Sequence, residues 1–217
     1  QEPVFLYLHV MDPHTPYTPS SHALEWAFED RAMPELKGFN QLVLEHHEFD
    51  LAERETVERL YDAEVRSLDR DLEKIFGELE ELNLLSNAVV VVLADHGEEF
   101  WDHGSRGHAN GLYDEVIRVP LLISVPGQTQ RVDVSDPVSV VDLAPTILEL
   151  AGFFAPPSFE GRSLAPLLSQ HGTGLSAWWK QLSAPQQLAP RPVFIELIQH
   201  EVLRRRRHER AITFAWW

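Results

Sequence analysis

The stretch that decides the fold is Ala88-Val-Val-Val-Val-Leu-Ala94, which runs directly into Asp95-His96-Gly97-Glu98. An apolar run of β-branched residues without polar alternation predicts a strand that is buried on both faces, as in a parallel sheet covered by helices. In such sheets, ligands bind beyond the carboxyl ends of the strands. The polar turn after Ala94 is therefore the first candidate for chemistry.

Elements around this strand follow the alternation of an α/β protein. Apolar residues at helical spacing over residues 50–82 predict a long amphipathic helix. A further strand is predicted at 121–125, and helices are predicted at 138–150 and 164–168. Together they predict an α/β fold in which helices flank a mixed or parallel sheet.

The flanking regions carry weaker signals. Residues 4–9 are rich in β-formers and predict a buried strand, whereas residues 22–49 read as irregular. Strands are also predicted at 193–198 and 211–217, the former in a separate small sheet. Because the chain opens on Gln1 with a strand and ends in another, we expect a piece of a larger protein.

Composition excludes several classes of protein. The 217 residues hold 18 Lys and Arg against 34 Asp and Glu, a net charge of −16, so general nucleic-acid binding is not expected. The basic run Arg204–Arg207 is interpreted as a solvated charged turn, with a phosphate, lipid or nucleic-acid patch as the alternative. The absence of cysteine excludes disulfides, thiolate metal sites and a cysteine nucleophile. No apolar run approaches the ~20 residues of a membrane span.

Asp95 and His96 form the strongest chemical signal. A carboxylate and an imidazole at a strand end, freed by Gly97, present half of a site for a divalent cation, and the other ligands must come from elsewhere. The alternative is that Asp95 caps the turn and His96 is a surface residue. His103 is a weaker candidate ligand, or a loop residue bonded to the backbone.

His14 lies between Pro13 and Pro16, which preset the backbone around it. A histidine held in this way suits proton or hydrogen-bond donation to an anionic substrate. The alternative is that it only packs the proline-rich loop. Asp12 is interpreted as a turn former.

Five blocks, taken together, resemble the sulfatase family of the alkaline phosphatase superfamily. Their order and spacing match over most of residues 4–170. They are His9-x-x-Asp-Pro-His14-x-Pro-Tyr17, Ala94-Asp-His-Gly-Glu98, Gly107-His-x-x-Gly-Leu-Tyr-x-Glu115-x-x-Arg118-Val-Pro120, Asp142-Leu-Ala-Pro-Thr-Ile-Leu-Glu-Leu-Ala-Gly152, and Gly161-Arg-Ser-Leu-x-Pro-Leu-Leu168.

The resemblance implies an alkaline-phosphatase-like fold and a hydrolase of sulfate esters that uses one divalent cation, with Ca or Mn ahead of Mg and Zn. It implies that Asp95 and His96 are metal ligands and that His14 contacts substrate or protonates the leaving group. His108 occupies the position of a lysine that binds the ester oxygens, so it is the second catalytic and substrate-binding candidate. Arg118 is interpreted as structural, paired with Glu115 or the acidic loop.

The resemblance also implies what the chain lacks. The formylglycine nucleophile and two further metal carboxylates lie upstream in the family, so we expect no turnover by this chain alone. Residues 1–170 are then the C-terminal portion of the catalytic domain, 171–192 a linker and 193–217 the start of a small C-terminal subdomain. The partner is either an N-terminal segment or a second copy.

Two alternatives stay open for the function. One is a phosphodiesterase, a phosphonate monoester hydrolase or a phosphotransferase of the same superfamily, acting on a phosphate ester instead of a sulfate ester. The other is an inactive binding module that keeps the scaffold. The sequence makes no prediction about the cellular compartment.

Overall fold

The computed structural model describes residues 4–44, 47–108, 111–128, 131–171, 193–198 and 208–213. Two compact units divide the chain at Leu82 and Asn83. The predicted linker, apart from His171, and the arginine run at 204–207 lie outside the described residues.

The first unit is helical. It contains α1 (Ser21–Ala27), α2 (Leu36–Leu44) and α3 (Leu51–Glu81). The prediction that residues 22–49 are irregular is therefore wrong. Ser20 accepts a hydrogen bond from the Ala23 amide and caps α1, whose apolar side packs on α3. Tertiary packing, which short-range periodicity does not reveal, stabilises these short helices.

Helix α3 confirms the predicted long helix. Its first turn is closed by a capping box, in which the Glu53 amide donates to Asp50 Oδ1 and the Asp50 amide donates to Glu53 Oε2, both at 2.9 Å. The N-terminal half provides the buried face, made of Val57, Leu60, Ala63 and Glu64.

Residues 4–9 form no strand, so this prediction is also wrong. Their side chains are exposed, with Val4 89% and Phe5 75% accessible. A strand needs a neighbour to pair its amides and carbonyls. None of the described strands pairs with this segment.

The second unit combines strands and helices. In chain order it contains β1 (Val90–Leu93), β2 (Glu99–Phe100), β3 (Arg106–Gly107), α4 (Asp114–Ile117), β4 (Leu121–Ser124), a 3₁₀ turn (Val140–Asp142), α5 (Leu143–Leu150), α6 (Ala165–His171), β5 (Val193–Ile198) and β6 (His208–Thr213).

Strand β1 lies within the predicted stretch of residues 88–94, but it is not buried on both faces. It pairs antiparallel with β4, Val90 opposite Ser124 and Leu93 opposite Leu121. Residues 90–92 are half-buried, and Leu93 is 37% exposed. Within the described residues β4 alone pairs with β1, which leaves part of the strand uncovered. Val89, just before β1, and Ile123 of β4 pack against a small core of Val125, Leu150 and Ala165.

The predicted helices at 138–150 and 164–168 are confirmed as the 3₁₀ turn with α5, and as α6. Gly152, at a φ of +82°, ends α5 in the left-handed region. Asp142 is fully buried, and its two carboxylate oxygens accept from the amides of Ser139 at 3.0 Å and Arg162 at 2.9 Å. This carboxylate closes the loop between the two helices.

Strands β5 and β6 form a separate antiparallel pair, which confirms the small C-terminal sheet. The strand predicted at 211–217 begins earlier, at His208, and residues 214–217 lie outside the described range. Among the described residues, no helix is both long enough and apolar enough to cross a bilayer.

Candidate functional site

Asp95 and His96 follow β1 directly, in a turn that is fixed by Gly97. The Gly97 amide donates to the Val116 carbonyl at 2.7 Å, so this turn is bonded to the end of α4. A Cβ atom at position 97 would lie 2.0 Å from the Glu115 carbonyl oxygen. Only glycine permits this approach, which sets where the Asp-His pair leaves the strand.

The His96 ring is held in one orientation. Its Nδ1 lies 2.9 Å from the Gly97 carbonyl oxygen, which can only accept, so Nδ1 carries the proton. In the neutral ring the lone pair is then on Nε2, and that atom lies 3.7 Å from Asp95 Oδ1. Histidine metal ligands usually donate their other nitrogen to a carbonyl or carboxylate in this manner.

This pair fits the chemistry of a divalent cation. A lone-pair nitrogen and a carboxylate oxygen lie near each other, and the Asp95 side chain is 82% exposed. Asp95 Oδ1 also accepts from the His96 amide at 3.1 Å, which is the turn-capping contact given above as the alternative role of Asp95. Among the residues that the structure describes, no group of three or more His, Asp or Glu side chains is arranged to hold a metal. The donor set is half of a site.

His108 is brought to His96 by a short hairpin. Strand β2 pairs antiparallel with β3, with Glu99 opposite Gly107 and Phe100 opposite Arg106. Continued one residue beyond the strands, this register sets Glu98 opposite His108, and their side chains are in contact. The His96 and His108 rings stack with centroids 3.9 Å apart and an interplanar angle of 23°. Two of the predicted site residues therefore lie in contact. We call residues 95–108 the Asp–His hairpin.

Glu98 and Glu99 are functional candidates that the sequence reasoning missed. Both Glu98 oxygens lie 3.4 Å from His108 Nδ1. Glu99 is fully buried and accepts from the His103 amide at 3.0 Å, the Ser105 amide at 3.3 Å and the Ser105 hydroxyl at 2.7 Å. Glycines at 104 and 107 marked a hairpin here, and its register would have placed Glu98 beside His108.

His103 lies outside the His96–His108 stack. Its Nε2 is 3.3 Å from Glu115 Oε2, and its ring stacks on Tyr113 with centroids 3.6 Å apart. Glu115, one of the two partners expected for Arg118, thus contacts His103. His103 is a loop residue held by side chains, where the sequence suggested backbone bonding or metal ligation.

His14 lies in the first unit, in the turn after residues 4–9. Its amide donates to the Met11 carbonyl at 2.9 Å, which places Asp12 in a turn as predicted. Its Nδ1 is 2.6 Å from the Thr15 carbonyl oxygen, so this nitrogen too carries the proton. We call residues 11–18 the proline–histidine loop.

Side chains from two helices hold the exit of this loop. The Tyr17 amide donates to Asn40 Oδ1 at 2.8 Å, and Asn40 Nδ2 donates to the Tyr17 carbonyl at 2.5 Å. The Thr18 amide donates to the carboxylate of Glu64 in α3. Asn40 is 7% and Glu64 2% exposed, so both anchors are buried.

Burial changes the pKa of Glu64. Removal from water disfavours its carboxylate and raises its pKa, and the nearby Asp12 charge acts in the same direction. The hydrogen bond from Thr18 opposes these effects only in part. The pKa of Glu64 is therefore raised while the residue anchors the loop of His14.

Relatives of known name match much of the chain. An endo-4-O-sulfatase of Bacteroides thetaiotaomicron is 31% identical over 77% of this chain and 33% of its own length. Arylsulfatase K of Homo sapiens is 34% identical over 56% of this chain and 23% of its own. The chain thus spans a third or less of these relatives.

Solved structures share the fold. A phosphonate monoester hydrolase from Silicibacter pomeroyi superposes with a TM-score of 0.60 at 24% identity, over 87% of this chain and 35% of that one. A 2-O GAG sulfatase superposes with a TM-score of 0.59 at 22% identity, over 71% and 31% of the two chains. At such identities the likeness concerns the fold alone.

A family model also matches the chain. The family model for sulfatases covers residues 1–153, which include the proline–histidine loop and the Asp–His hairpin. This match, the named relatives and the shared alkaline-phosphatase-like fold agree with one another. The chain belongs to the sulfatase family.

Proposed function

We propose that this chain is part of a metal-dependent hydrolase of sulfate esters. In this proposal Asp95 and His96 bind one divalent cation, with Ca or Mn ahead of Mg and Zn, while His14 and His108 contact the ester. The observation that supports it most is the 3.7 Å separation of His96 Nε2 from Asp95 Oδ1, with Nδ1 committed to the Gly97 carbonyl.

A bound cation would neutralise charge on the ester oxygens and on a nucleophile supplied from outside this chain. Asp95 and His96 would hold this cation at the end of the strand. His96 is ready for this because its proton is held away from Asp95. Asp95 provides the negative charge that keeps the pair electrostatically matched to a cation.

The two other histidines act on the ester itself. Since His14 Nδ1 is bonded to the Thr15 carbonyl, Nε2 is the atom that would donate a proton to the leaving oxygen. Since His108 Nδ1 faces Glu98, Nε2 is the atom that would meet the ester oxygens, donating when the ring carries both protons.

A phosphate or phosphonate ester is the second candidate substrate. The observation that favours it is His108 at a position where the family resemblance implies a lysine. The residue at the nucleophile position of the complete protein distinguishes the two: Cys in a Cys-x-Pro-Ser-Arg context for a sulfatase, Thr or Ser outside that context for a phospho-enzyme.

The metal half of the proposal is tested by calorimetric titration of the 217-residue chain with Mn²⁺ and with Ca²⁺. We expect binding by the native chain and a loss of at least tenfold in affinity in the Asp95→Ala, His96→Ala double variant. Glu115→Gln, which alters the neighbouring His103 contact, is the matched control and should bind like the native chain. Unchanged binding by the double variant would favour the inactive module.

The catalytic half is tested with an aryl sulfate and an aryl phosphate in the presence of the same metals. We expect no turnover by this chain alone, because the nucleophile is implied to lie elsewhere. Robust turnover that survives Asp95→Ala would contradict the proposal, since a nucleophile and a metal site other than these would then be at work.

A further inference from the structure

We propose that Glu98 is a positioning residue that acts through His108. It orients the His108 ring, and the stacked rings in turn support His96 at the metal half-site. The metal part of this assignment rests on the proposed function, whereas the hydrogen bond between Glu98 and His108 does not.

The hairpin register is the first support. Positions paired across β2 and β3 place Glu98 directly outward of the Glu99–Gly107 pair, opposite His108. Gly107 has a φ of +92°, a conformation that favours glycine, and its hypothetical Cβ would lie 3.6 Å from Glu98 Oε1. The backbone therefore turns at Gly107 so that the following side chain meets the carboxylate.

The second support is the rigidity of the hairpin. Buried Glu99 ties the amides of His103 and Ser105, and the Trp101 amide donates to the Ser105 carbonyl at 2.7 Å. The turn at one end of the two strands is thereby fixed. The relative position of Glu98 and His108, at the other end of the two strands, is fixed as a result.

The third support is the chemistry of the contact. A carboxylate only accepts, so the 3.4 Å approach of both Glu98 oxygens commits His108 Nδ1 to carry a proton. The Glu98 side chain is 10% exposed and that of His108 31%, so water competes little for the carboxylate. A histidine with one nitrogen committed has a defined ring plane and a defined second nitrogen.

The fourth support is the stack. The His96 and His108 planes are 23° apart at a centroid distance of 3.9 Å, so a rotation of one ring displaces the other. His96 is bonded by Nδ1 to Gly97, and His108 by Nδ1 to Glu98. Each ring thus has its own anchor, and together they fix the direction of His96 Nε2.

The test reads the histidine rings directly in the 217-residue chain. Long-range ¹H–¹⁵N NMR spectra at pH 8 report which nitrogen of each ring is protonated. In the native chain we expect a protonated His108 Nδ1, and in Glu98→Ala a change to the Nε2-protonated tautomer. Glu98→Gln, whose amide oxygen still accepts, should keep the native pattern. A thermal melt by circular dichroism verifies that each variant folds.

Metal binding provides the second readout, with Mn²⁺ as the probe. Glu98→Ala should weaken Mn²⁺ affinity by about tenfold, and Glu98→Gln should weaken it much less. Glu115→Gln is the matched control, because it disturbs His103 and should leave His108 unchanged.

The outcomes separate the two proposals. A native His108 that is protonated on Nε2 alone, or a pattern that Glu98→Ala leaves unchanged, would overturn the positioning role. If instead Glu98→Ala shifts the tautomer while Asp95→Ala fails to affect Mn²⁺, the proposed metal site is wrong and the Glu98–His108 pair stands.

Discussion

The proline–histidine loop and the Asp–His hairpin are held in opposite ways. The hairpin is stabilised by contacts between residues four to ten positions apart, such as Glu99 with His103 and Glu98 with His108. The loop is held by Asn40 and Glu64, which are 23 and 46 positions from their partners Tyr17 and Thr18. One candidate histidine is therefore placed locally, and the other by distant helices.

This difference teaches which disturbances each region tolerates. A locally bonded hairpin needs few other residues to keep its shape. Substitutions should therefore destabilise it most at its turn and at the Gly97–Val116 hydrogen bond, which joins it to the rest of the unit. A loop held by remote anchors depends on the packing of α2 and α3, because those helices bring the anchors into place. Three substitutions sharpen this contrast.

The largest effect is expected at the attachment of the hairpin. Gly97→Ala would place a Cβ 2.0 Å from the Glu115 carbonyl oxygen, so the backbone must move and the Gly97–Val116 hydrogen bond lengthens. We expect a loss of about 3 kcal/mol in the free energy of unfolding, measured by urea denaturation.

A second glycine in the chain supplies the control. Gly77 lies within α3, and a Cβ there meets nothing within 4 Å. Gly77→Ala should stabilise by about 0.5–1 kcal/mol, because alanine has the better helix propensity. A Gly97→Ala variant as stable as the native chain would show that the turn at the strand end is not constrained as described.

An intermediate effect is expected at the remote anchor of the loop. Asn40→Ala leaves the amide and the carbonyl of buried Tyr17 without these partners, at a cost of about 2 kcal/mol. The Tyr17 amide should exchange with deuterium faster, and the His14 ring signals should broaden. An Asn40→Ala variant with native stability and native exchange of the Tyr17 amide would contradict the two-bond clamp.

The smallest effect concerns the second anchor and depends on pH. Burial raises the pKa of Glu64 in the folded chain above its unfolded value, so the folded state binds this proton more tightly. Stability is therefore lost as pH rises from the ordinary glutamate pKa through the raised one. Glu64→Gln keeps an acceptor for Thr18 and should be more stable than the native chain above this window, by about 1 kcal/mol or less.

The measurement for Glu64 is urea denaturation of both chains from pH 4 to 8. The difference in stability between variant and native chain should grow with pH and then level off. A native chain that gains stability relative to Glu64→Gln as the pH rises would reverse the sign and refute the argument.

The same contrast explains what the sequence could predict. Helix α3 was predicted from its helical spacing of apolar residues, strand β1 from its continuous β-branched run, and Asp95 and His96 because they adjoin a strand end. The segment at 4–9 has an equally clear pattern, yet a strand depends on a neighbour that its own residues do not specify. In the same way β1 was predicted as buried on both faces, whereas the described elements cover it only in part.

The anchors of the candidate site divide along the same line. Glu98 and Glu99 were within reach of sequence reasoning, because the hairpin register follows from Gly104 and Gly107. Asn40 and Glu64 were not, because nothing local distinguishes an asparagine or a glutamate on a helix that will clamp a loop far along the chain. Glu64 stands on the apolar face of α3, four residues from both Leu60 and Leu68, so helical spacing indicates its burial but not the loop that it binds.

The buried carboxylate of Asp142 holds together two ends of a loop by hydrogen bonds alone. It joins the amides of Ser139 and Arg162, while Phe154, between them, projects 98% of its surface into solvent. A protease cut or an inserted reporter at Phe154 would leave both halves of this loop tethered to one carboxylate. Position 154 is therefore suited to a fluorescent label, because the label would leave the packing of the neighbouring helices unchanged.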